Sequence, residues 1–296
     1  MENIIGSIEK AKFIIYIFAF ILTIIEVIQI IRRVIHKRPT RHLRKVWGIK
    51  DKEDVILVCS ELEDPEEQQI VKDKLEDEQG EFIYNRKYGD LDAYFEVVYT
   101  LLKLYPNLKL RILSCGEAAK IKLEYDKTLI LIGGPDYNTT TREFLQYAKI
   151  YYRSPDCEEQ STEYPNQIVL FHKRTQKELC GNIARKDFGY FERIRNPHNP
   201  KKHLILIGGC HTIGVTGAIK SFSLVPNEQG EIKNYVLSNS KKVAKLISKR
   251  SDFAVIIQAE KTNQTIHTPD VKEEMIFTET KKNWYSFITS KFTKKK

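Results

Sequence analysis

The pattern of apolar and polar positions divides the chain in two. Residues 13–31 (FIIYIFAFILTIIEVIQII) form one apolar block broken only by Thr23, Glu26 and Gln29. At about 1.5 Å per residue this block spans roughly 28 Å, close to the bilayer core of about 30 Å, and predicts one transmembrane helix. Glu26 and Gln29 share a face near its end, where they snorkel or pair between protomers. From Asp54 onward the apolar stretches are short and punctuated. DVILVCSEL (54–62), LKLRILSCG (108–116), KTLILIGGP (127–135), HLILIGG (203–209) and SDFAVIIQAEK (251–261) read as buried strands. QIVLFHKRTQKELC (167–180) and DFGYFERIRNP (187–197) read as antiparallel strands, with NPHNP as a rigid turn into the next strand. Helical spacing covers 91–106, 139–152, a segment beginning near 216 and another near 238–249, while acidic 65–79 is a helix or solvated loop. Strands alternating with helices predict an α/β fold: a Rossmann-like, mainly parallel sheet with antiparallel additions, preceded by the transmembrane helix.

Charge sharpens the topology. Of a net +9, eight positive charges fall in residues 32–50 (Arg32, Arg33, Lys37, Arg38, Arg41, Arg44, Lys45 and Lys50), with no acid among them. The flank 1–12 is neutral, so the positive-inside rule places the N-terminus outside the cell membrane and the main domain in the cytoplasm. The basic block suits anionic lipid headgroups. A nucleic-acid binder would spread its excess over a folded face, so no nucleic-acid partner is expected. The expected organisation is a short extracytoplasmic end (1–12), a transmembrane helix (13–31), a basic juxtamembrane linker (32–53), the α/β domain (54–278) and a Lys-rich tail (279–296). The five cysteines stand singly, which fits a reducing compartment and gives no zinc-ribbon spacing. No metal site and no cofactor is expected.

LILIGG occurs twice, at 129–134 and at 204–209. Paired glycines after a buried strand suit the carboxyl edge of a parallel sheet, where α/β folds bind ligands. The first turn continues GGPDYNTTTRE: Gly133 and Gly134 let a backbone approach an anion, and Asn138, Thr139 and Thr140 either cap the next helix or bond ligand oxygens. The second continues GGCHTIGVTGA, with Gly208, Gly209, His211, Thr212, Gly214 and Gly217 as candidate ligand contacts. Gly209 and Gly214 have Walker A spacing, but Val215 stands where its lysine belongs, which excludes nucleoside-triphosphate hydrolysis of that type.

These two loops resemble those of the SLOG superfamily, Rossmann-like binders of nucleotides and nucleotide derivatives that include phosphoribohydrolases and sensor domains of bacterial defence systems. The resemblance makes Glu143 the counterpart of the family's loop glutamate and Gly133, Gly134, Gly208, Gly209, Gly214 and Gly217 its phosphate-cradle positions. Here the two loops stand in the opposite chain order, each is slightly longer, and the proline follows the glycines instead of preceding them. The block DFGYFERIRNPHNPKKHLILIGGCHTIGVTGA (187–218) is similar to a segment of bacterial proteins linked to signalling or conflict modules.

Acid–base candidates are few. Asp90, Asp92 and Glu96 lie within one helical stretch and offer carboxylates for glycosidic cleavage, or serve as N-cap and first-turn acids. Taken together, these features predict a membrane-anchored cytoplasmic sensor or effector of a nucleotide-derived small molecule, acting through ligand-driven association of its transmembrane helices in a homo-oligomer. The resemblance implies a bacterial signalling or antiviral defence setting. The alternatives are a membrane-tethered nucleotide N-glycosidase or phosphoribohydrolase using Glu143, Asp92 or Glu96, and a ligand-free scaffold.

Overall fold

The computed structural model describes residues 40–60, 80–121, 124–154, 161, 163–164, 167–181, 185–226, 234–247, 252–262 and 265–278. Residues 40–47 form a short helix, α1, followed by β1 (Asp54–Cys59) and a long helix, α2 (Gly80–Leu104), that stops two residues before Pro106. β2 (Lys109–Ser114) turns directly into α3 (Cys115–Lys120), where Ser114 and Glu117 form a capping box. β3 (Thr128–Ile132) leads through the first glycine turn to α4 (Thr139–Phe144). Three short strands follow: β4 (Ile150–Arg153), β5 (Val169–His172) and β6 (Leu179–Cys180). The hairpin of β7 (Lys186–Asn196) and β8 (Asn199–Gly209) precedes α5 (Thr212–Lys220) and α6 (Asn234–Leu246). The described part closes with β9 (Phe253–Thr262), β10 (Thr265–Ile266) and β11 (Ile276–Thr278).

The main sheet has the order β10-β9-β7-β8-β3-β1-β2, with β11 also pairing β9. Its β2-β1-β3-β8 part is parallel, and β7, β9, β10 and β11 extend it by antiparallel pairing. This is the α/β, Rossmann-like sheet with antiparallel additions that the alternating pattern predicts. Each apolar run alternates between two cores. Val55, Leu57, Ile130, Ile132, Ile205 and Ile207 face α2, α5 and α6, whereas Ile56, Val58, Leu129, Leu131, Leu204 and Leu206 face α3 and α4. The connections β1-α2-β2 and β8-α5-α6-β9 cross the same face but step in opposite directions along the sheet. The two crossovers therefore have opposite hands, and one is of the uncommon left-handed sense.

Several expected boundaries move. The helix expected over 139–152 is cut at Phe144 by a 3₁₀ turn (Leu145–Tyr147), and Ile150–Arg153 instead joins a separate sheet, β4-β5-β6. The reason is tertiary: buried Glu192 of β7 accepts the N–H groups of Lys149 (2.6 Å) and Ile150 (3.2 Å), which pins the start of β4. α2 begins at Gly80, well before residue 91, and α5 begins at Thr212, before residue 216. Turn 197–198 forms as the NPHNP segment predicts, held by Asn196 Nδ2 donating to the carbonyls of Tyr125 and Lys127.

The basic linker is shorter than the charge pattern predicts, because the unit that carries the sheet begins at His42. Leu43, Val46 and Trp47 of α1 are fully buried in the core. The Trp47 indole donates to the Phe222 carbonyl (3.2 Å) and packs edge-on against Phe191. Gly48, at φ +70°, ends the helix in the left-handed region that glycine adopts freely. Arg193 Nη1 then caps it, donating to the carbonyls of Lys45 (2.7 Å) and Val46 (2.8 Å). Lys45 itself donates to the Ala244 carbonyl at 2.5 Å. Among the described residues no helix is long and apolar enough to cross a membrane; the segment 13–31 and the tail 279–296 lie outside the described residues.

Candidate functional site

The repeated motif is a structural pair. β3 and β8 lie side by side in parallel, with Leu129 opposite Leu204, Ile130 opposite Ile205, Leu131 opposite Leu206 and Ile132 opposite Ile207. Gly133 and Gly134 turn away at the end of β3, whereas the turn expected at Gly208 and Gly209 does not form there: both stay in β8, paired with Tyr190 and Gly189 of β7. Gly133 N–H donates to the Ile207 carbonyl (2.9 Å). Gly133 has φ +100°, a conformation that requires glycine. β1 ends beside them, with Ser60 Oγ donating to the Ile132 carbonyl (3.4 Å). Since β1 steps to β2 on one side and β3 lies on the other, this is also the point where the strand order reverses, the usual ligand crevice of an open α/β sheet.

The second loop fills its own helix terminus. Asp187, fully buried at the start of β7, accepts the backbone N–H groups of His211 (3.0 Å) and Gly214 (2.6 Å) on Oδ2. Its Oδ1 accepts the Phe188 N–H (2.8 Å) and lies 3.2 Å from His211 Nδ1. A carboxylate thus occupies the position where a ligand phosphate would meet the N–H groups and positive end of α5. The glycines of this loop are demanded by packing. A Cβ on Gly208 would stand 2.6 Å from the Tyr190 hydroxyl, and one on Gly209 would stand 2.6 Å from the Val215 amide. One on Gly214 would collide with the Phe188 carbonyl, and one on Gly217 with the Ala259 methyl. His211 and Thr212 remain half-buried at the rim.

The first loop is braced internally but leaves space. Asn138 caps α4, accepting the Thr141 N–H (3.0 Å) and donating to the Ile132 carbonyl (2.9 Å). Arg142 folds back and donates to the Pro135 carbonyl (2.9 Å). Thr140 is buried and Thr139 half-buried. Gly134 differs from the other turn glycines: the nearest atoms to a Cβ there are the Tyr152 hydroxyl at 3.8 Å and the Gly209 carbonyl at 4.0 Å. Next to it the Asp136 carboxylate is held by the Tyr152 hydroxyl. Asp136, Tyr152 and Asp187 were not evident as site residues in the sequence. Their roles depend on strand pairings far apart in the chain, which no local spacing reports.

The candidate acids are dispersed. Glu143 is exposed on α4, on the face of the sheet opposite α2. Asp92 is exposed on α2, and Glu96 one turn on lies 4.0 Å from Lys220 at the far end of α5. Lys220 is eight residues past Thr212, about 12 Å from the crevice along the helix. Among the described residues no three His, Cys, Asp or Glu side chains are grouped to hold a metal ion. A scan of protein-family models finds none that matches this chain, and a search of curated proteins finds no match.

Proposed function

We propose that this chain is a membrane-anchored sensor whose Rossmann-like domain binds a nucleotide-derived small molecule at the carboxyl edge of β1, β3 and β8. One observation carries the reading: the two LILIGG segments lie in parallel register, so the glycines that follow them reach the same sheet edge at the strand-order reversal. The same geometry supports a reading of which part of a ligand would enter. With Asp187 already at the N-terminus of α5, the open position lies around Gly134, where Asp136 offers an oriented acceptor and His211, Thr212 and Thr139 line the rim. An acceptor carboxylate suits ribose hydroxyls or a base amino group better than a bare phosphate. The anchor rests on the apolar block 13–31 and the basic residues after it, and binding would act by favouring association of the anchored copies. With Glu143 on one face of the sheet and Asp92 and Glu96 on the other, the site reads as one for binding.

The test is thermal unfolding of the full-length chain in detergent, against nucleosides, nucleotides and cyclic nucleotides. A true ligand at a hundred times its Kd stabilises by about 2.7 kcal/mol. Gly134→Leu should abolish that shift by setting a bulky side chain at the turn, and Gly134→Ala, whose Cβ makes only ordinary contacts at 3.8–4.0 Å, separates loss of the site from loss of the fold. A panel in which nothing raises the melting temperature rejects the sensor and leaves the scaffold.

A further inference from the structure

The outer face of α2 carries an apolar stripe with a two-fold character of its own. Leu91 (43 % exposed), Phe95 (60 %), Tyr99 (38 %) and Leu102 (48 %) recur at helical spacing, directly opposite the buried line of Ala93, Val97, Leu101 and Leu104. Large apolar side chains lined up on one exposed face mark an interaction surface. We infer that this stripe is where two copies of the chain meet, α2 against α2, running antiparallel about a two-fold axis that crosses the stripe between Phe95 and Tyr99.

The argument is complementarity. An antiparallel two-fold pairing sets residues on either side of its centre against each other to within one position, so Leu91 comes beside Leu102 of the partner subunit and Phe95 beside Tyr99 of the partner subunit. The exposed charges obey the same symmetry. Asp92 and Lys103 lie on one flank of the stripe, at opposite ends, and Lys103 Nζ sits 5.5 Å over the Tyr99 ring. In antiparallel helix pairs like flanks face each other, so Asp92 comes beside Lys103 of the partner subunit, and the reverse pair repeats it. In a parallel pairing unlike flanks meet, so Asp92 and Lys103 would not come together. A single helix pair is small beside a standard interface of about 1,600 Å², so the association is weak and suited to a regulated encounter. The inference deepens the sensor reading by naming the surface through which copies associate, but it needs no ligand.

The experiment is sedimentation of the full-length chain in detergent, without ligand, over a range of concentrations. A reversible dimer is expected, weakened about tenfold or more by Phe95→Glu. Asp92→Lys should weaken it and Asp92→Lys with Lys103→Asp should restore it; all three positions are exposed, so folding is kept. On oxidation, Leu91→Cys with Leu102→Cys should yield a linked dimer that neither single variant gives. A monomeric wild type, a dimer indifferent to Phe95→Glu, or a charge swap without rescue overturns the inference. Linkage in the single Leu91→Cys variant overturns the antiparallel arrangement. If the dimer forms while no nucleotide binds, the surface stands and the sensor falls.

Discussion

The carboxylate of Asp187 accepts a 2.6 Å hydrogen bond from the Gly214 backbone N–H, inside the first turn of α5. A helix whose N-terminus points into a Gly-rich loop normally offers that N–H to a ligand anion. Here β7 supplies the anion, and the loop that looks like a phosphate cradle serves as the joint between α5 and the sheet.

Removing that carboxylate should therefore affect stability. Asp187→Ala strips the buried Gly214 N–H of its acceptor, at about 1–3 kcal/mol, and removes an acceptor from the part-buried His211 N–H. Asp187→Asn keeps an acceptor but loses the charge at the positive helix end, about 1 kcal/mol. Urea unfolding should rank wild type, Asn and Ala in falling order. Sulfate or inorganic phosphate should partly rescue the alanine variant and leave wild type unchanged. Equal rescue of wild type would mean that the terminus is open after all.

The glycines of the two motifs should separate into two classes. Gly208→Ala and Gly217→Ala force a methyl group against Tyr190 and Ala259, an overpacking cost of about 1–3 kcal/mol. Gly133→Ala costs about 1–2 kcal/mol through its positive φ. A Cβ at Gly134 makes only ordinary contacts, 3.8–4.0 Å from its nearest neighbours, so Gly134→Ala should unfold with wild type. Melting temperatures of the four single variants check this order; an unstable Gly134→Ala contradicts the open crevice.

Much of the sheet was legible because buried strands announce themselves. The LILIGG runs, DVILVC and FAVIIQ are continuous apolar segments closed by turn residues, and each is a strand. Their partners were not legible, since register between β3 and β8 is a tertiary choice. The apparent helix 139–152 shows the limit. TTTREF has the Asn138 cap and forms one, but IYYR is taken by β5, an antiparallel neighbour beyond the reach of local propensity. The core helix α1 carried a readable signal that its charges hid: Leu43, Val46 and Trp47 share a face and Gly48 follows. Around the candidate site, the turn at Gly133 and Gly134 was legible as the close of a buried strand, whereas Gly208 and Gly209 stay in β8 because Tyr190 and Gly189 of β7 pair with them. Asp187 was hidden by its distance from His211 along the chain.

Arg193 is the pin that holds α1 in the core. Burial pulls its guanidinium down to about 10, and its ring neighbour is Phe253 at 4.9 Å. Arg193→Ala should cost about 3 kcal/mol, from two unpaired carbonyls and a cavity, and should release α1 first. Limited trypsin digestion reads this directly, as faster cleavage after Arg44 and Lys45. Arg193→Lys keeps the charge but lacks the planar fork, so intermediate protection is expected. Unchanged digestion in the alanine variant removes Arg193 from this role.

Three buried groups should shape the pH dependence of stability. Burial raises the Glu192 carboxyl to about 7, whereas burial with nearby cations lowers His172 and His203 to about 4. Between the unfolded glutamate value of about 4.3 and 7, native Glu192 holds a proton that the unfolded chain has released, so its contribution falls as pH rises. Each histidine acts oppositely: below about 6.5 the unfolded chain binds a proton that the native ring refuses until about 4, so stability rises with pH. Two rising terms against one falling term leave a net rise in stability with pH, of the order of one proton's linkage, from about 4.5 to 6.5. Glu192→Gln should double that slope, and His203→Gln should nearly flatten it. Above about 6.5 the histidine terms end, so wild type should lose stability towards pH 7 while Glu192→Gln stays level. Urea unfolding at closely spaced pH values gives the three curves. A Glu192→Gln curve parallel to wild type would mean that Glu192 is ionised in the fold throughout, with its two backbone donors outweighing its burial.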